Sequence, residues 1–588
     1  MSATDATAHQ DLPPLAALFL IKFDLKVGYT IAWKRSVDGL DLDRAAVDFK
    51  SLPSGLHTVQ EDLVYFVHEQ YVGLSAFVRG PASEEERNAH FVAVGILVPV
   101  SHGRLGRGWL HAQKLREHAR ILASDEGQTA ILEAYWEEHV SNDKADAESP
   151  EGSPAMSGKS TGLTSLTDLR PSQDFLGAMH PALSIMTYID TFGPLIFPLQ
   201  RAALLRKRVL FLTSAPVRLA CEFVYDLCIL SSIPSSVDEV LPEGCENLCR
   251  LRSLFAIGVH DIPFLQEDAN KYNAEPPVTA EDSDSEPEDW SPGWAACTTD
   301  GILASKSNLY DVIVELPAAQ EHTPQTRRWP KAKHADGTEI KATQRDLRRF
   351  RILHHELKKM HRRTQIDQED SPESTAEPYH DDEDENDSSP LLSPQDRNES
   401  NNTTDDEELD TNALVEPMTW SALAYTGFMW WASAGERDST LSEEADRDRA
   451  LLGDMSDFIA MSPHPQPRDT NANTNSGINA VEDATMAQSW YAGAAAPHTA
   501  LIAYFHRLTG EMFNTLADVV EGVDEAVEAG EGVVDDMVRV HGEDVTRMGL
   551  DVWSEADRAF VRDVLELYWG RRAEVHGASV ECCGIKIC

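Results

Sequence analysis

Basic residues are scarce in this chain. Against 98 Asp and Glu it carries 51 Lys and Arg, a formal net charge of −47 over 588 residues. A surface so acidic repels phosphodiester backbones, so no nucleic acid is expected among its partners. Cysteine is sparse as well. The eight thiols stand at 221, 228, 245, 249, 297, 582, 583 and 588, without the even spacing of a disulfide framework. Reduced thiols and a cytoplasmic location are expected. The Asn-x-Ser/Thr matches at Asn398, Asn401 and Asn402 then carry no meaning, because the chain would not meet the glycosylation machinery. Long apolar runs are missing too. Met1–Pro14 has no basic n-region and no cleavage site follows Leu15–Phe23, so no signal peptide is read. Met418–Ala434 is about as short as a bilayer span can be, and Trp, Tyr, Ser and Thr punctuate it. It is expected as a buried amphipathic helix.

Motifs for phosphate and metal chemistry fail on spacing. Gly158-Lys159-Ser160 follows Gly152 with five residues between the glycines, where a phosphate loop needs four. No apolar strand precedes it to aim backbone N–H groups at an anion. His354-His355-Glu356 lacks the second His of a zinc-protease helix, since Lys359 occupies that place, and the surrounding Lys and Arg would repel a cation. Cys245 and Cys249 have no second pair at zinc spacing. No catalytic residue, cofactor or metal ligand is therefore expected.

The chain is too long for one core, so about two or three modules are expected. The most informative stretch is Thr191–Val224, TFGPLIFPLQRAALLRKRVLFLTSAPVRLACEFV. An apolar helix from Pro194 to Leu205 ends in Arg206-Lys207-Arg208. The apolar strand Val209–Leu212 follows. Its lack of alternation is what a strand covered on both faces requires. Ser214 can then cap a new helix, with Pro216 tolerated in its first turn. Earlier, Leu15–Arg35 reads as two strands around a turn. Further strands are expected at Leu63–His68, Tyr71–Arg79 and Phe91–Val98, followed by helices about Leu110–Leu122 and Ile131–Trp136.

That order of two strands, spacer, three strands and two helices is that of a longin module. FDLKVGYTIAWKR (Phe23–Arg35) and GPLIFPLQRAALLRKRVLF (Gly193–Phe211) closely resemble the DENN-domain family, especially its LCHN-like branch as found in fungi. The resemblance is good over Leu15–Val100 and His180–Arg252 and weak in the C-terminal helices. It implies an α/β fold class: an α+β longin module plus an α/β DENN lobe, with long acidic disordered linkers and C-terminal helices. The expected divisions are a longin-like module at 15–140, a linker at 141–175 and a central DENN module at 176–364 with an acidic loop at 274–292. A disordered acidic linker at 365–411, a short helical island at 412–461 and a disordered stretch at 462–488 follow. A C-terminal helical DENN module at 489–580 and a Cys-rich tail at 581–588 complete the chain.

In function, the resemblance implies a regulator of a Rab-like small GTPase, a guanine nucleotide exchange factor in vesicle traffic. Exchange works by binding the nucleotide-free partner best and needs no bond-making site. The alternative is a scaffold or effector that binds a GTPase without exchanging its nucleotide. The partner is expected where the two lobes meet, with Trp33, Lys34 and Arg35 as candidates. Arg206, Lys207 and Arg208 are a second candidate patch. Equally, cations at a helix C-terminus complement its dipole.

Two further features bear on peripheral membrane contact. Leu347, Phe350, Leu353, Leu357 and Met360 form one face of a helix within Lys341–Arg363, which carries nine Lys and Arg. That helix can lie on an anionic membrane. Alternatively, its apolar face packs on the central domain and its basic face meets residues 367–410, which hold 18 Asp and Glu against one Arg. In that acidic tract Ser371, Ser389 and Ser393 each precede Pro and are candidate phosphorylation sites. At the C-terminus Cys582 and Cys583 are candidates for acylation, against a frayed tail with free thiols. Prenylation is not expected, because Ile585 stands where that motif needs Cys.

Overall fold

The computed structural model describes residues 12–24, 28–80, 91–125, 127–140, 179–273, 291–318, 328–369, 412–420, 422–423, 426–427, 434–453, 496–528, 537–577, 581–582 and 585–586. The expected linker 141–175, the stretch 462–488, residues 370–411 and most of the loop 274–292 lie outside the described residues. So do Gly158-Lys159-Ser160, the three Ser-Pro sites and Cys583.

Five strands open the fold: β1 (Ala17–Asp24), β2 (Gly28–Ser36), β3 (Glu61–His68), β4 (Tyr71–Arg79) and β5 (Phe91–Pro99). All their mutual pairings are antiparallel. Gly28 closes the β1–β2 hairpin at a φ of 91°, a conformation open to glycine. Short helix α1 (Val47–Lys50) covers one face of this sheet. Helices α2 (Ala112–Ser124) and α3 (Ala130–His139) cover the other. This is the antiparallel sheet with flanking helices that the longin resemblance implied.

The central block contributes β6 (Val209–Leu212), β7 (Arg252–Ala256), β8 (Trp294–Thr298) and β9 (Val312–Glu315), all parallel to their neighbours among these four. β10 (Lys331–His334) and β11 (Glu339–Ile340) add an antiparallel edge. The two halves are not separate sheets. Eleven strands run in one sheet, in the order β11-β10-β9-β6-β8-β7-β3-β4-β5-β1-β2. As expected, β6 is buried between two parallel neighbours. Val209 and Phe211 face the large core, and Leu210 faces a smaller one with Trp294, Leu265 and Leu303.

Helices α4 (Ile185–Phe192), α5 (Ile196–Leu204) and α6 (Arg218–Leu230) pack in the large core; α7 (Ile262–Tyr272) and α8 (Gly301–Ala304) pack on the smaller core. Pro181–Leu204 is the one described stretch long and apolar enough to cross a membrane, and 72% of its most apolar 18 residues are buried within the fold. Sequestering it in the core satisfies its apolar side chains without lipid.

α9 (Gln344–Glu369) is the basic amphipathic helix. Leu347, Phe350, Leu353 and Leu357 are buried, as the spacing required. Acid from α10 (Ala434–Leu452) neutralises three of its Arg residues; the tract 370–410, the other acid expected to meet this face, lies outside the described residues. Arg345 Nη2 donates to Asp448 Oδ1 at 2.7 Å, Arg349 Nε donates to the same oxygen at 3.1 Å, and Arg348 pairs with Glu444 at 3.1 Å. A helix presenting buried guanidinium groups to a facing carboxylate is held by that contact.

The C-terminal block holds α11 (Ala496–Glu528), α12 (Gly542–Arg547) and α13 (Glu555–Trp569). The expectation that it is all helical needs correction. β12 (Met537–Val540) and β13 (Arg572–Val575) pair in parallel beside α13. Four residues are too few to show a period of two against helical background. At the tail, β14 (Glu581–Cys582) pairs with β15 (Ile585–Lys586).

One buried cation joins three parts of the chain. Arg201 on α5 donates twice to Asp346 on α9, at 2.9 and 2.6 Å. It also approaches Asp557 on α13 at 3.3 Å, an ion-pair distance without the alignment of a hydrogen bond. Nearby, the Tyr568 hydroxyl donates to the Leu204 carbonyl at 2.8 Å. The C-terminal helix is thus bolted to the end of α5.

Among the described residues of Met418–Ala434 burial is only partial. Ala422 is buried, but Met418, Trp420 and Leu423 are 44%, 86% and 48% exposed. Composition alone does not say whether a partner surface lies over an apolar turn.

Candidate functional site at the seam of the sheet

The antiparallel and parallel halves meet between β3 and β7. Their antiparallel pairing is a single residue pair, Phe66 with Phe255. Phe255 sits at a φ of 58°, and the β7–β8 register shifts between Ser253 and Phe255. A positive φ is costly for a Phe, so the pairing cannot simply be extended. On one side of the pair the strands part. Val67, His68 and Glu69 of the first half then face Arg252, Ser253 and Leu254 of the second across a cleft of about 630 Å³. Gly73 belongs to the same device. A Cβ there would lie 2.1 Å from the Phe66 ring, so only glycine lets that ring lie flat at the seam.

Four contacts brace the seam. Lys50 Nζ on α1 donates to the Val67 carbonyl at 2.9 Å and pairs with Asp261 at 3.1 Å. Burial alone would raise the Asp261 carboxyl. His260, Lys50 and the Gly258 N–H outweigh it and hold the group below the ordinary carboxylate range. The Phe49 ring lies 5.8 Å from that of His260. Ser54 donates to Asp300.

The fourth contact corrects the expected cap of α6. Ser214 makes no cap. The carboxylate of Asp62, on β3 of the other half, accepts from Val217 N at 2.7 Å and Arg218 N at 3.1 Å. An acid at a helix N-terminus satisfies orphan donors and complements the dipole. Sequence reading looks for caps a few residues away, and this one lies 155 residues upstream.

Burial nevertheless dominates at Asp62, pushing its pKa up to about 6 against three backbone N–H groups that lower it. The folded value lies above the unfolded one. Folding therefore takes up a proton between about pH 4 and 6, and stability falls as pH rises through that window. A two-unit difference is worth about 3 kcal/mol when complete. Asp62→Asn is expected to flatten this slope, read as the difference between urea-unfolding free energies of the two proteins at pH 4.5 and pH 7. Parallel pH dependences would refute it.

Around the cleft lie large apolar side chains that water reaches. Phe49, Val100, Val259 and Phe264 are 55%, 43%, 43% and 50% exposed. They come from both halves. Val100 and Phe264 line the cleft itself with Lys50 and Arg250. Apolar rims with polar neighbours mark protein-binding surfaces. Among the described residues no group of three His, Cys, Asp or Glu is placed to hold a metal ion.

The residues expected to bind a partner lie elsewhere. Trp33, Lys34 and Arg35 are on β2, the outer edge strand, with β1, β5 and β4 between them and β3. They are not at the seam. Arg35 pairs with Glu133 at 2.8 Å and lies over the Trp33 ring; Lys34 pairs with Asp43 at 2.7 Å. Arg206 and Arg208 are not a surface patch at all. Arg206 is fully buried, and its guanidinium donates to the carbonyls of Leu248, Ala203 and Ser231. Arg208 is buried against Asp311 at 2.8 Å and under the Tyr272 ring. Only Lys207, half-buried, keeps partial access to water. Backbone carbonyls at the end of α5 need donors, and these two Arg supply them or lock the next strand. No motif in the sequence pointed to Phe49, Val259 or Phe264. Their exposure follows from packing, and their neighbours in space are distant in sequence.

The profile described as DENN domain-containing protein 11 matches residues 18–326, which include both strands of the seam and its whole rim. The chain belongs to the DENN domain-containing protein 11 family. Beyond that region a profile described as a domain of unknown function matches 415–536 and 527–588. DENN domain-containing protein 11 of Danio rerio is 29% identical over 54% of this chain and 56% of its own length. The Xenopus laevis protein of that name is 31% identical over 52% of this chain and 61% of its own. The chain thus spans under two thirds of the length of these animal relatives. An uncharacterised yeast protein, ANR2 of Saccharomyces cerevisiae, is 23% identical over 98% of this chain and 95% of its own. The family accounts for the mixed α/β fold.

Proposed function

We propose that this chain is a DENN-type regulator of a Rab-like small GTPase and acts as a guanine nucleotide exchange factor in vesicle traffic. Its place would be the cytoplasm, peripheral to vesicle membranes. The observation that carries the reading is the seam cleft, whose exposed apolar rim draws on both halves of one sheet. Phe49 and Val259 stand beside the Lys50–Asp261 pair, so a partner seated there would touch the antiparallel and the parallel half together. A GTPase held across two rigid surfaces can be bound most tightly in its nucleotide-free shape. Differential binding of that kind is what speeds GDP release.

The test is a panel of Rab-type GTPases loaded with a fluorescent GDP analogue and mixed with the purified chain. At least one GTPase should release its nucleotide ~10-fold faster or more, which is about 1.4 kcal/mol of barrier. Phe49→Asp/Phe264→Asp should abolish the acceleration while leaving the melting temperature unchanged, because both side chains are already half in water. Capture of a nucleotide-free GTPase without faster release would instead support a non-exchanging scaffold. If no GTPase binds in any nucleotide state, both readings fall.

A further inference from the structure

A second pocket lies away from the seam, where α10 and α11 pack against the turn that follows α6. Its volume is about 440 Å³. Ser236 on its wall falls in the region matched as DENN domain-containing protein 11. Arg447, His506, Arg507, Glu511 and Asn514 fall in the region matched as a domain of unknown function. Junctions of that kind favour ligand sites. Backbone sets Arg507 in place. Its Nη1 donates to the Leu451 carbonyl at the end of α10, and Gly453 leaves the guanidinium room, since a Cβ there would lie 2.7 Å from it. Arg447 Nη1 donates to the Thr546 carbonyl at 3.1 Å. Neither guanidinium has a carboxylate within ion-pair distance among the described residues. The chain holds 98 acidic side chains against 51 basic ones, so two arginines lining one pocket without an acid to pair them call for an anion from outside. His506 Nε2 donates to the Ile229 carbonyl at 3.0 Å and fixes the wall beside them. No donor in the protein reaches Glu511 Oε2.

We propose that this pocket binds a small phosphate monoester that also carries hydroxyl groups, of the class of a sugar or polyol phosphate. Charge selects an anion over a zwitterion, because two guanidinium groups stand against one carboxylate. Number of oxygens selects phosphate. One guanidinium fork saturates a carboxylate, whereas a phosphate monoester presents three acceptor oxygens and a charge near two, enough for both arginines. The volume leaves room beyond the phosphate itself and lies in the range of small-molecule sites. On the same walls the Glu511 carboxylate, the Ser236 hydroxyl and the Asn514 amide suit hydroxyl groups on the ligand rather than an apolar chain. Nucleotide release at the seam plays no part in this pocket, so either reading can fail alone.

Titration calorimetry of the full chain with glucose 6-phosphate and with myo-inositol 1-phosphate tests the site. At least one should bind with a Kd below ~1 mM, and ~10-fold or more tighter than inorganic phosphate. Arg447→Glu should weaken that binding ~10-fold or more. Arg447 is exposed and makes one bond to a carbonyl, so the melting temperature of the unliganded variant should match the wild type. A second arm finds the source of the phosphate. Flotation with phosphatidylcholine vesicles carrying about a tenth phosphatidylinositol 4-phosphate, lost in Arg447→Glu, would assign the site to a lipid headgroup. Binding of the soluble probes without flotation would assign it to a free metabolite. Failure of both probes and of the vesicles, affinity no tighter than for inorganic phosphate, or unchanged binding in Arg447→Glu would each overturn the proposal.

Discussion

Arg201→Met is expected to cost roughly 3–5 kcal/mol of folding free energy, because it leaves buried carboxylates without their cation. Asp346 is 1% exposed and Asp557 fully buried. Burial raises both carboxyls. At Asp346 the charge of Arg201 and its paired hydrogen bonds outweigh it and hold the group low. At Asp557 the same Arg is less well aligned, and the proximity of Asp346 adds to burial, so the pKa is pushed up to about 7. One cation therefore serves two acids unequally. Methionine fills the volume of the stem but cannot donate, so the loss is electrostatic rather than a cavity. The damage should be regional as well as global. Hydrogen exchange in α13 should accelerate, since Asp557 sits in its first turn and accepts from Asp551 N at 2.7 Å. Guanidinium denaturation and exchange by mass spectrometry check both. A loss under about 1 kcal/mol would show that water reaches the cluster.

Leu210→Asp is the second large effect. Leu210 is 1% exposed, on a strand with parallel neighbours on both sides. Its side chain packs with Trp294, Leu265, Leu303 and Leu309. No cation among these neighbours could pair with a carboxylate. An aspartate there must either stay charged in an apolar core or take up a proton, and each is unfavourable. A loss of roughly 4 kcal/mol or more is expected, enough to unfold many domains. Leu210→Asn separates charge from shape, since it carries polarity without the ionisation. Thermal melts at pH 5 and 8 should show Leu210→Asp recovering partly at the lower pH, where protonation is easier. Wild-type stability in Leu210→Asp would place this side chain in water.

Much of the architecture was legible before any coordinates. The five N-terminal strands announce themselves because each is long and dense in β-branched and aromatic residues. β6 did so by lacking alternation, which a strand covered on both faces requires. α9 showed its apolar stripe at helical spacing, and Leu347, Phe350, Leu353 and Leu357 are buried accordingly. β10–β13 were not read, because two to four residues cannot establish a period. The partner surface was read as charge, at Trp33–Arg35 and Arg206–Arg208. It was sought among cations because their clustering is visible in a sequence. Whether a guanidinium faces water or a neighbouring carbonyl is decided by the chain that folds around it, and around Arg206 that is Leu248 and Ser231, which follow it by 42 and 25 residues.

The sequence by itself determined the five N-terminal strands, β6 with the helices on either side of it, the α/β class and the family. Those depend on local period and wording, which survive without long-range contacts. Only the tertiary structure decided that the halves share one sheet, that Asp62 caps a helix 155 residues away, and that the seam opens into a cleft with Phe49, Val259 and Phe264 on its rim. It also left Trp420 in water while sinking Arg206. Each of these is a question of which distant residues become neighbours. Burial and pairing follow from that topology, and no short window of sequence contains it.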